Sequence, residues 1–178
     1  MKRMFVASST LVAAAVLMTL AIARQSPPIV KIDVPVVVRS GDRSGPASLA
    51  MVIGYYGADS LAQRRTDEAF DAKSGAAPIR GLAATATRLG YAARVAAPGI
   101  DSLATFLRLG VPPIVCVDPK PGVTGHSRYY VITRWDTLNN RFYARDGGPR
   151  MLEVPVTVLT SVWGTEGGRA LIVTRRRR

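Results

Sequence analysis

The chain has 178 residues, one cysteine and one histidine, with 24 lysines and arginines against 12 acidic residues for a formal charge of +12. That balance favours anionic partners, such as lipid head groups, cell-wall polymers or acidic proteins, while the scatter of the basic residues argues against nucleic acid. Cys116 alone excludes an intramolecular disulfide, its distance from the one histidine gives no metal-ligand spacing, and there is no glycine-rich phosphate loop, so no cofactor is expected.

The N-terminus reads as a secretory signal. Lys2 and Arg3 precede an apolar run over 5–23, and Ala21-Ile22-Ala23 is an A-x-A cleavage pattern. A span needs roughly 20 apolar residues, so the same run is just long enough for an uncleaved anchor. Either alternative puts the remainder outside the cytoplasm, periplasmic or extracellular, and sets 1–23 aside from the fold. Residues 29–174 then make one domain. The four arginines of 175–178 read as a solvated basic tail.

Residues 29–38 alternate and are β-branched, an extended lead-in strand. A helix follows over 44–56, ended by Gly57-Ala58-Asp59, and a second over 60–72. After a loop at 75–78, a helix over 79–89 sets Leu82, Ala86 and Leu89 on one side and stops at Gly90. Residues 91–96 suggest a short strand. Asp101 caps a helix through 109, stopped by Gly110. The chain then changes character. Residues 113–117, 128–134, 141–144 and 169–174 read as strands, with Asn139-Asn140 turning between the second and third. Residues 155–163 fit a helical turn or a strand. Cys116 falls in an apolar strand with no activating base or helix N-terminus beside it, which makes it a buried thiol. Helices first and strands later imply an α+β domain, N-terminal helices packed on a C-terminal antiparallel β-sheet.

Ser44-Gly45-Pro46-Ala47-Ser48-Leu49-Ala50-Met51 resembles the nucleophile helix of the bacteriocin-processing, double-glycine cysteine peptidases, a papain-like family in which the motif reads Cys-Gly-Pro-Ala-x-Leu-Ala-Met. Val34-Pro35-Val36-Val37 resembles the family's first strand. Residues 82–91 resemble its next helix and Leu-Gly-aromatic step, and 109–115 its Gly-x-Pro step into a strand. Residues 129–136 resemble the strand after its catalytic histidine, and 154–163 with 170–173 its closing segment. Asp146-Gly147-Gly148 sits where the family carries its acid. The resemblance covers nearly all of the chain after the N-terminal segment and implies a papain-like fold.

In such a peptidase the free N–H groups and dipole of a helix N-terminus acidify the thiol. A histidine takes the proton, an acid orients the histidine, and a glutamine ahead of the nucleophile helps form the oxyanion hole. Here Ser44 stands at the cysteine, and the glutamine is absent among Val38, Arg39 and Ser40. The family's His-aromatic-Val-Val-Val-Thr-Gly-Tyr-Asp matches Arg128-Tyr129-Tyr130-Val131-Ile132-Thr133-Arg134-Trp135-Asp136 only if Arg128 takes the histidine's place. Arginine stays protonated and has no acceptor, so it is no general base. His126 lies two residues earlier, about 6.6 Å along a strand. Bringing it within roughly 3 Å of Ser44 requires a bulge or a slip, for which Gly125 is permissive. Asp146 should lie beside Arg128 and form an ion pair with it, bidentate in the best geometry.

Simpler roles compete for several of these residues. Ser44 before Gly45-Pro46 is a good helix N-cap, with Asp42 competing for the same place. Tyr55, Tyr56, Tyr129, Tyr130 and Trp135 read as core and cleft-wall aromatics, and Trp163 as packing for the closing segment. The leading functional reading is an exported peptidase-like domain with a degenerate triad at Ser44, Arg128 and Asp146, which has lost catalysis and binds or scaffolds a polypeptide. One alternative is an active peptide hydrolase using Ser44, His126 and Asp146. The other is a basic protein held on an anionic envelope surface by its arginines, 175–178 included.

Overall fold

The computed structural model describes residues 29–117, 127–164 and 167–176; the N-terminal segment, His126 and the last two arginines lie outside the described residues. In chain order the elements are β1 (Ile29–Lys31), α1 (Ser44–Tyr55), α2 (Ser60–Arg65) with a 3-10 turn (Thr66–Ala69), α3 (Ile79–Arg88), β2 (Tyr91–Ala96), α4 (Ile100–Arg108), β3 (Ile114–Val117), β4 (Arg128–Asp136), β5 (Arg141–Arg145), β6 (Leu152–Pro155), α5 (Val156–Gly164) and β7 (Ala170–Arg175). The strands pair antiparallel in the order β2-β7-β3-β4-β5-β6, with β1 added along β4. The expected α+β architecture of helices on an antiparallel sheet is present.

The strand β4 organises the molecule. Along one of its edges β3 pairs with residues 128–131 and β1 with residues 134–136; along the other runs β5. Helices cover both faces. Trp135 and Phe142 are cross-strand partners whose rings stack at 4.3 Å. Helix α4 lies over them, with Ile100 and Ala104 lining the same cavity. Tyr129 points to the other face, where Gly45 of α1 meets its ring. All four residues of β3 are buried, the physical reason 113–117 reads as an unbroken apolar run. Helix α1 is buried from Ser44 through Ile53, as a helix apolar all round must be. Helices α3 and α4 bury one side each, through Ile79, Leu82 and Ala86 and through Leu103, Ala104 and Leu107.

Several boundaries differ from the sequence reading. The lead-in over 29–38 pairs only at Ile29–Lys31, after which the N–H of Ile32 donates to the carbonyl of Thr133 at 2.7 Å. Its alternation is still real, since Val30, Ile32 and Val34 are buried between exposed neighbours. The period recorded burial rather than pairing. The second helix ends at Arg65 and tightens into the 3-10 turn. Gly99, not Asp101, caps α4. The closing segment holds a strand, β6, as well as a helix. Arg175, assigned above to the tail, is the last residue of β7, opposite Tyr91, and donates to the carbonyl of Tyr56. No helix among the described residues is long and apolar enough to cross a membrane.

Candidate functional site

The site is built where α1 meets β4. The N–H of Cys116 donates to the carbonyl of Arg169, so the Cys116–Tyr129 position of the ladder leaves the peptide groups of Tyr129 facing away from β3. On that other side β5 begins to pair only at Val131. Helix α1 fills the vacated edge. The N–H of Tyr129 donates to Ser44 Oγ at 3.2 Å, and Ser48 Oγ, one turn along, donates to the carbonyl of Tyr129 at 3.2 Å. Two serines four residues apart on one helix face thus satisfy both backbone groups of a buried residue that a neighbouring strand would otherwise serve.

This corrects the N-cap reading of Ser44. Arg43 is the N-cap and makes no side-chain cap bond, Ser44 is already helical, and Asp42 is exposed. Two glycines permit the close approach. A Cβ on Gly45 would lie 3.1 Å from atoms of Ala77, Leu82 and Tyr129. A Cβ on Gly147, at φ +89°, would lie 2.7 Å from that of Ala47. The hydroxyl of Tyr129 donates to the carbonyl of Ala77 at 2.7 Å, and burial pushes its pKa well above the ordinary tyrosine range.

Arg128 Nη2 stands 3.0 Å from Asp146 Oδ2, so the two residues form an ion pair. It is one-pronged rather than bidentate. Asp146 spends Oδ1 on the N–H of Gly148 at 3.0 Å, which closes its own turn. The arginine side chain is 57% exposed and the aspartate 16%. A pair this wet is worth about 0–1 kcal/mol. The same turn anchors the segment that leads into α1, because the carbonyl of Gly147 accepts the N–H of Arg39 at 3.0 Å. Arg39 and Arg43 in turn approach Asp67 at 3.5 and 3.6 Å, and Arg43 lies over the ring of Phe70. Arginines therefore surround the head of α1.

This arrangement can hold negative charge and hydrogen-bond a backbone. Within it, Ser44 Oγ meets the N–H of Tyr129 at 3.2 Å. His126 lies outside the described residues. No cluster of three metal-ligating side chains occurs among the described residues. Cys116 is buried at 2% exposure, and Trp163 is buried with Nε1 donating to the carbonyl of Arg169 at 2.8 Å. Cavities of about 300 and 490 Å³ beside α4 are lined by none of the residues at the head of α1. The sequence reading missed Ser48. Its signal was a small polar residue inside a helix with no polar face.

The helices packed on an antiparallel sheet decide the fold when set beside solved structures. This is the fold of the double-glycine peptidase domains. A double-glycine-motif protease from an AMS/PCAT transporter, solved in complex with the leader peptide, is 21% identical with a TM-score of 0.63, over 82% of this chain and 94% of that one. The peptidase domain of Streptococcus ComA, a bifunctional ABC transporter of a quorum-sensing pathway, is 24% identical with a TM-score of 0.61, over 79% and 97%. A Bacillus anthracis structure described as a C39-like peptidase is 16% identical with a TM-score of 0.66, over 84% and 99%. No protein-family model matches the chain, and no curated protein does. At these identities the likeness establishes the double-glycine peptidase fold, and the papain-like resemblance of the sequence holds at that level.

Proposed function

We propose that this chain is an exported double-glycine peptidase-like domain that holds a polypeptide without cutting it. The observation that carries the reading is the ion pair of Arg128 with Asp146 at 3.0 Å, taken in the register that sets Arg128 in place of the family's histidine. A guanidinium cannot take a proton from Ser44. The helix N-terminus does not replace the missing base. A helix dipole is worth at most about 2 kcal/mol, or roughly 1.5 pKa units. That poises a thiol, which starts near ~8.5, but not a hydroxyl, which starts many units higher. Val38, Arg39 and Ser40 lack the glutamine amide that steadies an oxyanion. Binding of an extended peptide is supported by the leader-peptide complex of the similar transporter protease. Export, and a domain bounded at about residue 29, are supported by the apolar run over 5–23.

The test is a pair of assays. Incubation with leader peptides should show binding and no cleavage, and a serine-directed fluorophosphonate should label the chain no more than a Ser44→Ala control. Cleavage that disappears in His126→Ala would instead establish the Ser44, His126 and Asp146 hydrolase. Reversal gives an independent check. Ser44→Cys combined with Arg128→His should be alkylated by iodoacetamide at pH 7 faster than Ser44→Cys alone, because only the double variant restores a base beside the thiol. Equal rates would mean that position 128 does not face residue 44 in the way the reading requires.

A further inference from the structure

The two ends of β4 face different surroundings. Arg128 begins the strand at the head of α1. Asp136 ends it at the hairpin turn, about 26 Å away at ~3.3 Å per residue. β1 runs antiparallel to β4 with Ile29 opposite Asp136, so the described chain enters the domain at the hairpin end. β6 reaches the same end, with Pro155 opposite Arg141. The N–H of Val156, at the start of α5, then donates to the carbonyl of Asn140 at 3.2 Å.

Three exposed large apolar side chains lie at this end: Leu138 in the turn at 78% exposure, Val158 in the first turn of α5 at 48% and Ile29 at 42%. The turn does not require leucine at 138, since it is the N–H groups of Leu138 and Asn139 that donate to Asp136 Oδ1, each at 3.1 Å. Lys31 and Arg141 flank the patch, each paired with an acid, Asp33 and Glu153, so their charge adds little there. The apolar run over 5–23 is separated from Ile29 only by residues 24–28. That spacer reaches at most about 20 Å.

We propose that the apolar run is retained as an anchor and that the hairpin end of the domain rests on the lipid surface, with Leu138, Val158 and Ile29 seated at the head-group boundary. The short spacer brings this end, rather than the head of α1, to the bilayer. The apolar side chains then orient the domain by burying surface that water otherwise covers. The head of α1 consequently opens away from the membrane, a strand length from it, toward polypeptides outside. The inference concerns orientation and stands apart from whether the site cuts or only binds.

The experiment uses the full chain with Leu138→Cys or Val38→Cys, labelled with an environment-sensitive fluorophore and reconstituted in phosphatidylcholine vesicles. Both positions are exposed, and the native Cys116 is buried against labelling. The expected result is a blue shift and loss of emission by nitroxide-bearing lipid at 138, with shielding from iodide. The label at 38 should remain quenched by iodide and unaffected by the lipid nitroxide. Equal iodide access at the two positions would overturn the proposal. So would mass analysis showing that the exported chain has been cut after Ala23.

Discussion

Ser44 shows how one hydrogen bond separates two roles. At a helix head its Oγ could cap the helix, yet it is the acceptor for the buried N–H of Tyr129. Ser44→Ala should leave that N–H without a partner and cost about 1–3 kcal/mol in urea unfolding. Ser44→Cys should cost less, because sulfur remains a weak acceptor in the same place. Equal stability of Ser44→Ala and the wild type would mean that water reaches the Tyr129 peptide. The ion pair of Arg128 with Asp146 was legible at this scale, because the aromatic-Val-Ile-Thr register and the Asp-Gly-Gly turn set the two side by side. The loss of bidentate geometry was not, since it depends on Asp146 Oδ1 turning back to Gly148.

At the scale of elements, titratable groups hold two joints. Asp136 accepts from the side chain and backbone of Asn139 and from the backbone of Leu138, and these bonds lower its pKa below the ordinary carboxylate value. The ionised form is the one the fold favours. Its contribution is present above the unfolded carboxylate range and disappears as pH falls through the lowered folded value. Asp136→Asn should therefore flatten the acid limb of the melting temperature against pH; an unchanged acid limb would place that dependence in other carboxylates.

Tyr56, just after α1, donates to the carbonyl of Val173 in β7 at 3.0 Å, and its pKa is pushed up to about 12, first by burial and then by Tyr55, against the pull of Arg175. Here the fold favours the neutral form. Stability is full below the unfolded tyrosine value near ~10 and is lost as pH rises toward about 12. Tyr56→Phe should lose less stability than the wild type between pH 9 and pH 11, as read by thermal melts. The existence of most helices and strands was legible from their periods and glycine stops. β6 was not, because its four residues carry too short a pattern to separate from the helix that follows.

For the whole molecule, the +12 charge invites a reading of the C-terminal arginines as a detachable tail. Arg175 does not belong to it, since its backbone pairs with Tyr91 and its side chain reaches Tyr56. Truncation after Arg175 should leave the melting temperature unchanged, whereas truncation after Thr174 should lower it. If the basic surface also holds the protein to an anionic envelope, that attachment should weaken steeply as salt rises past about 0.15 M, where screening acts within roughly 8 Å.

The sequence alone determined the α+β class, the double-glycine peptidase likeness, the buried thiol and the pairing of Arg128 with Asp146. These are signals carried within short windows, as period, motif and register. The tertiary structure decided what Ser44 does, why Ser48 stands a turn behind it, and which end of the sheet receives the chain. Each of those turns on groups brought together across the fold, as Ser44 is with Tyr129 across 85 residues of sequence. Nothing local to either partner specifies such a meeting. It follows only once β5 stops short of Tyr129 and leaves a buried peptide for a helix to satisfy.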